Sequence, residues 1–165
     1  MIALLVELFG RVRFSEANKT TGGSQMKMNP MGQSGVMVSE LCLGTMTFGT
    51  QTTEADGHQQ MDFALDHGIN FVDTAEMYPV NPISKETLGR TEEIIGTWYH
   101  ANPSRRGDYV LATKHSGEGF SNARNGAPIS SATIPETIEG NLRRLKTDYI
   151  DLYQLHWPER NTNFF

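Results

Sequence analysis

Asp73, Tyr78, Lys114 and His156 are the residues of this chain whose types and spacing could do chemistry together. Asp73, Lys114 and His156 each close a short apolar run, and Tyr78 follows Asp73 by five positions. A tyrosine hydroxyl has a pKa of about 10, too high to be ideal near neutrality. A nearby ammonium stabilises the phenolate and lowers that value. Lys114 is placed to do this for Tyr78, and Asp73 to hold Lys114. His156 can polarise or orient a carbonyl oxygen. A tyrosine tuned in this way is a general acid for an oxygen that is gaining negative charge. Reduction of a carbonyl by hydride needs such an acid, and it needs a cofactor to deliver the hydride. Singly, each residue has a bland reading: a turn aspartate, a buried aromatic before Pro79, a solvated strand end, and a packed histidine beside Trp157. Four such groups at the ends of successive strands favour the joint reading.

The elements that must position these groups follow from the apolar pattern. Residues 41–44 read as a first strand, with a glycine-containing loop at 44–49. Thr53 and Asp56 have the spacing of a capping box, Met61, Ala64 and Leu65 follow at helical spacing, and His67-Gly68 ends that helix as a glycine cap would. Residues 69–73 form a second strand. A second helix is expected over 85–100, stopped by Asn102-Pro103. A third strand spans 109–112, and 116–131 is a long polar, glycine-rich excursion of the kind that is often functional. Pro135 fits the first turn of a third helix, whose apolar face is Ile134, Ile138, Leu142 and Leu145. Residues 149–155 give a fourth strand. This β-α-β-α-β-α-β order implies a parallel sheet with right-handed crossovers. Either a doubly wound sheet or part of a (β/α)8 barrel satisfies it. Gly44-Thr-Met-Thr-Phe-Gly49 is neither a Gly-x-Gly-x-x-Gly turn nor a P-loop.

Composition narrows the function classes. With 165 residues, 38% apolar and 20% charged, the chain reads as globular. A net charge of -5 argues against a general nucleic-acid or anionic-membrane binder. No apolar stretch approaches the roughly 18 residues of a membrane-spanning helix. The single cysteine, Cys42, permits no internal disulfide and fits a reducing cytoplasm. It reads as a buried, unreactive thiol. Glu76 reads as a loop-surface acid. His58, His67, His100 and His115 show no metal-ligand spacing, so no metal site is expected. The pattern leaves open whether His115 faces the pocket or the helices. Residues 1–25 read as an extension, unstructured or upstream of the true start, with Met26 and Met28 as alternative starts and 26–165 as the domain proper.

Residues 41–158 resemble the N-terminal half of the aldo-keto reductase family. Phe71-Val-Asp-Thr-Ala-Glu-Met-Tyr78 matches its Asp-Thr-Ala-x-x-Tyr element. Ala112-Thr-Lys114 matches its strand-three lysine, and Ile150-Asp-Leu-Tyr-Gln-Leu-His-Trp-Pro158 its strand-four histidine signature. Gly44-Thr-Met-Thr-Phe-Gly49 and Ala75-Glu-Met-Tyr-Pro79 bring it nearest the bacterial Tas-type branch. The resemblance implies a (β/α)8 barrel, here about the first four β/α units. It implies an NADPH cofactor, a small-molecule carbonyl substrate, and a catalytic tetrad of Asp73, Tyr78, Lys114 and His156. Thr45, Met46 and Asp73 match positions that border the cofactor, with Gln51 a further candidate.

A whole barrel needs about 250 residues, so the chain is expected to hold the proton-transfer residues but to stop before the barrel closes. The resemblance places the groups for the adenosine 2'-phosphate in the other half. Activity of this chain alone is therefore expected to be weak or absent, and bare strand edges are expected to invite self-association. Two other readings stand beside the reductase: a regulatory protein like the potassium-channel β subunits that share this resemblance, and a non-catalytic gene fragment. Those β-subunit relatives often carry Asn where this chain has His156, so His156 favours the reductase.

Overall fold

The computed structural model describes residues 26–157. The expectation for residues 1–25 lies outside them. The described chain starts with an antiparallel hairpin, β1 (Met28–Pro30) and β2 (Met37–Ser39). Then come β3 (Cys42–Gly44), α1 (Glu54–Asp66), β4 (Phe71–Asp73), α2 (Arg90–Ala101), β5 (Val110–His115), α3 (Thr133–Leu145) and β6 (Leu152–Leu155). Strands β3 to β6 form one parallel sheet in the order β3-β4-β5-β6, so chain neighbours are also sheet neighbours.

Side chains alternate between the two faces of a strand, and the alternation here sorts two layers. Val72, Tyr109 and Leu111 turn to one face and pack with Met61 of α1, Ile94, Ile95 and Trp98 of α2, and Leu145 of α3. All three helices therefore cover the same face. Phe71, Val110 and Ala112 turn to the other face and pack with Val38 of the hairpin. A doubly wound sheet reverses its strand order at a switch point and carries helices on both faces. Sequential order with helices on one face is instead the winding of a barrel. The hairpin lies at the foot of the inner face. Asn70, just before β4, accepts from the Ser39 N–H (2.7 Å) and donates to the Met37 carbonyl (3.1 Å).

Local chemistry sets the helix ends. Thr53 caps α1, its hydroxyl accepting from the Asp56 N–H at 3.2 Å and donating to the Asp56 carboxylate at 2.7 Å. Gly68 follows the helix at φ +80°, the left-handed conformation that favours glycine. Other expectations need correction. Helix α2 begins at Arg90 rather than at residue 85. Ser84 accepts from the Thr87 N–H in a separate turn, and Gly89 at φ +79° breaks the run. The hairpin before β3 occupies residues for which the sequence pattern offered no element. Strand β5 runs on to His115, so Lys114 sits inside the strand.

The buried face of α3 shares only Leu145 with the expected apolar one. It is Thr137, Gly140, Asn141 and Leu145, while Ile134, Ile138 and Leu142 are only half-buried. The physical reason is close approach to α2, where the Gly96 Cα meets the Arg144 backbone with no room for a side chain. The fully buried Glu92 of α2 then accepts from Thr113 (2.6 Å), Asn141 (2.7 Å) and Arg144 (2.7 Å). A buried carboxylate needs such donors, and they outrank apolar contact on this face.

Candidate active site

Strand alternation explains why the four groups converge. Asp73 shares the face of Phe71, and Lys114 the face of Val110 and Ala112, but both stand at the C-terminal end of the sheet. The segment after β4 stays laddered onto β5, Thr74 N–H to the Ala112 carbonyl (2.9 Å) and Glu76 N–H to the Lys114 carbonyl (3.3 Å). A turn then closes from the Tyr78 N–H to the Ala75 carbonyl at 3.1 Å, and Thr91 at the start of α2 donates to the Tyr78 carbonyl at 3.4 Å. Tyr78 is thereby held at the rim. His156 follows β6 directly and donates its backbone N–H to the His115 carbonyl at 2.9 Å.

The Lys114 ammonium lies 2.6 Å from an Asp73 carboxylate oxygen and 2.7 Å from the Thr74 carbonyl. It stands 5.0 Å from the centroid of the Tyr78 ring. The Tyr78 and His156 rings meet edge to face at 5.6 Å and 78°. The structure thus brings Asp73, Tyr78, Lys114 and His156 to one end of the sheet. Around Tyr78 pack Ala75 and Met77, with Met46, Val80, Leu88, Phe120 and Trp157 partly buried against them.

The electrostatics differ from the sequence expectation in one respect. Lys114 was expected to lower the Tyr78 pKa. Burial, and then the Asp73 charge, push the Tyr78 hydroxyl up to about 12. The ammonium is paired with Asp73, so its pull on the phenol is largely cancelled. The phenol is protonated at neutrality, which is the form a proton donor must have. Burial, and then the Lys114 charge, push His156 down to about 4, against a small opposing effect of Glu76. His156 is therefore neutral near pH 7 and can donate from one ring nitrogen without carrying charge. Its Nδ1, with Oε1 of Gln154 and Oγ1 of Thr74, is buried with no hydrogen-bond partner among the described residues. Burial, and then Asp73, push the Cys42 thiol up to about 12, which keeps it unreactive.

The candidate cofactor residues spread further apart. Thr45 is fully buried, its hydroxyl and N–H both donating to the Asp73 carbonyl, at 2.8 and 3.1 Å. Met46 packs against the Tyr78 cluster. Gln51 is exposed in the turn that Gly49 and Thr52 close. Buried polar atoms without partners call for a polar ligand or water. Thr74 and His156 stand at the end of the sheet where Asp73 and Tyr78 meet, so hydrogen-bonding capacity is left over there.

One residue departs from its sequence reading, and another that the sequence left open is placed. Glu76 is 5% exposed rather than a surface acid, because Arg124 and the Ser116 N–H satisfy its carboxylate. The signal lay far from it in sequence, in an arginine within a polar loop. His115 points with Thr113 away from Lys114, and its Nδ1 donates to the Ser116 carbonyl at 2.6 Å. Among the described residues no group of three or more His, Cys, Asp or Glu is placed to hold a metal ion, and no helix is long and apolar enough to cross a membrane.

Comparison with known proteins gives a consistent picture. Residues 40–165 match the model of the Aldo/keto reductase family. The chain is 46% identical over 143 residues to Protein tas of Escherichia coli K12, covering 85% of this chain and 41% of that protein. It is 43% identical to the uncharacterized oxidoreductase YrpG of Bacillus subtilis, covering 83% of this chain and 42% of the relative. In structure it is similar to the aldo-keto reductase AKR11C1 from Bacillus halodurans in its holo form, with a TM-score of 0.66 and 37% identity over 82% of this chain and 42% of that one. The chain spans about two-fifths of the length of these curated relatives.

Proposed function

The chain belongs to the aldo/keto reductase family, and from that premise we propose that it carries the proton-transfer half of an NADPH-dependent reduction of an aldehyde or ketone to an alcohol. The observation that carries the reading is Lys114, 2.6 Å from Asp73 and 5.0 Å from the ring of Tyr78, with His156 edge-on to that ring. Tyr78 donates its proton to the carbonyl oxygen as that oxygen gains negative charge. Lys114, fixed by Asp73 and the Thr74 carbonyl, neutralises the Asp73 charge beside the phenol, so that the phenolate left when the proton departs does not face an unpaired carboxylate. Neutral His156 orients the carbonyl oxygen by a hydrogen bond. Met46, Phe120 and Trp157 exclude water, which strengthens these interactions.

NADPH supplies the hydride when bound. Thr45, Met46 and Asp73 would border the cofactor, with Gln51 a further candidate from the exposed turn. Lys114 and Arg124 are each committed to a carboxylate, so partners for the phosphates are sought in later β/α units, where barrels commonly place them. Full turnover then requires those units, and this chain alone is a weak reductase or none.

The test is an NADPH titration of the chain followed by nicotinamide fluorescence, then a carbonyl assay in a completed barrel. Tyr78→Phe should cut kcat by about 100-fold or more, the usual scale of a lost general acid, with cofactor affinity almost unchanged. Equal turnover in the variant removes Tyr78 from the acid role.

A further inference from the structure

Glu76 is a buried charged group, paired with the half-buried Arg124, and the reaction has no direct use for either. Glu76 stands two residues before Tyr78. Arg124 lies deep in the 116–131 excursion, on the 3-10 turn Arg124–Gly126. Its two terminal nitrogens donate to the two Glu76 oxygens at 2.6 and 2.9 Å, a fork on a fork. The Glu76 carboxylate also accepts the Ser116 N–H, and Arg124 also donates to the Ser116 carbonyl at 3.0 Å. Burial alone would raise the Glu76 pKa, but the Arg124 and Ser116 hydrogen bonds hold it below the usual carboxylate range.

One ion pair therefore ties three places together: the loop that presents Tyr78, the end of β5, and the far side of the excursion. Between Ser116 and Arg124 the chain carries Gly117 and Phe120. Gly117 has no Cβ where the Trp157 indole lies against it. Phe120 meets Trp157 edge to face at 6.1 Å, and both pack on the Tyr78 cluster.

We propose that the Glu76–Arg124 pair is a latch that holds the 116–127 segment over Tyr78 and His156 and so builds the water-excluding wall of the reaction site. Glu76 and Arg124 are positioning residues, acting through Phe120 and Trp157. A buried ion pair is seldom more stabilising than an apolar pair of the same volume; what it adds is a unique geometry. The inference rests on the reading of Tyr78 and His156 as reacting groups, but its test needs no turnover.

The experiment uses the full chain, with the His156 ring resonance assigned by its loss in His156→Gln, titrated by NMR, together with amide hydrogen exchange. The charged groups that bear on the His156 ring are Lys114 from β5 and Glu76 from the loop after β4. In Arg124→Met the wall lifts, water reaches the ring, and Glu76 loses its neutralising partner. All three changes move the His156 titration upward, by about one pH unit or more toward its ordinary value. Amides of residues 117–123 should exchange at least ~10-fold faster while β4 and α2 keep their protection, and Arg124→Lys should fall between. An unchanged His156 titration, or exchange that rises evenly over the whole chain, overturns the latch. If Arg124→Met does not fold, Glu76→Gln is read instead: local loosening of 117–123 supports the proposal and its absence overturns it. Failure of the wild-type chain to reduce carbonyls would count against the proposed function while leaving the titration result standing.

Discussion

At His156 two influences push the same way: burial and the Lys114 charge both disfavour the imidazolium, and the ring titrates near 4 rather than at its ordinary 6.5. The consequence for stability has a definite sign. Between about pH 4 and 6.5 the unfolded chain binds a proton that the folded chain refuses, so stability rises with pH across that window and is complete above it. Because the ring is only half-buried, solvent screening limits the contribution to about 1–2 kcal/mol. Urea denaturation at pH 7 and pH 4.5 should show a larger loss for the wild type than for His156→Gln. An equal loss would mean that the ring is solvated. The four rim residues were legible in sequence because Asp73, Lys114 and His156 stand at or beside strand ends and Tyr78 closely follows Asp73, each in a recognisable motif. The reading of Glu76 failed for a physical reason. Its partner is 48 positions away, and no local pattern marks an arginine that folds back. The sense of the Tyr78 shift was likewise not legible, because it depends first on the burial of the hydroxyl and then on the Asp73 charge beside it.

Helices α2 and α3 show how a small residue can decide an interface. Gly96 brings the α2 backbone against the C-terminal turn of α3. A methyl group there must displace backbone rather than a flexible side chain. Gly96→Ala should destabilise by about 1–3 kcal/mol despite the better helix propensity of alanine. Thermal unfolding would read this as a drop of several degrees, and an unchanged midpoint would show that α3 can shift away. Apolar periodicity found all three helices and all four parallel strands, because burial of one face is what repeats in the chain. It misplaced the buried face of α3, since Thr137, Gly140 and Asn141 are small or polar and carry no hydrophobic signal. The β1–β2 hairpin was missed although Gly32 and Gly35, both at positive φ, offered a turn signal. Strands of three residues are too short to show alternation.

Across the whole molecule, the parallel sheet has two outer strands, β3 and β6, and neither has a second strand partner among the described residues. Leu155 on β6 is 55% exposed. Such edges pair with other chains. Sedimentation velocity over a range of concentrations should show association of this chain, and Leu155→Lys should weaken it. A monomer at all concentrations would mean that these edges are otherwise protected. The choice between a barrel winding and a doubly wound sheet was not settled by the alternation of strands and helices. It is settled by the sequential strand order and by the single helix-bearing face.

That sequential order also bears on how the chain is made. Each strand of the parallel sheet after β3 pairs with the one synthesised just before it, and the helices pack on the one face those strands build. The hairpin at the foot of the inner face is the first described segment to be translated, so the floor of the sheet is available before its walls. A ribosome releasing this chain from its N-terminus never has to wait for a distant strand to finish an earlier unit. The fold grows in the order of its own messenger.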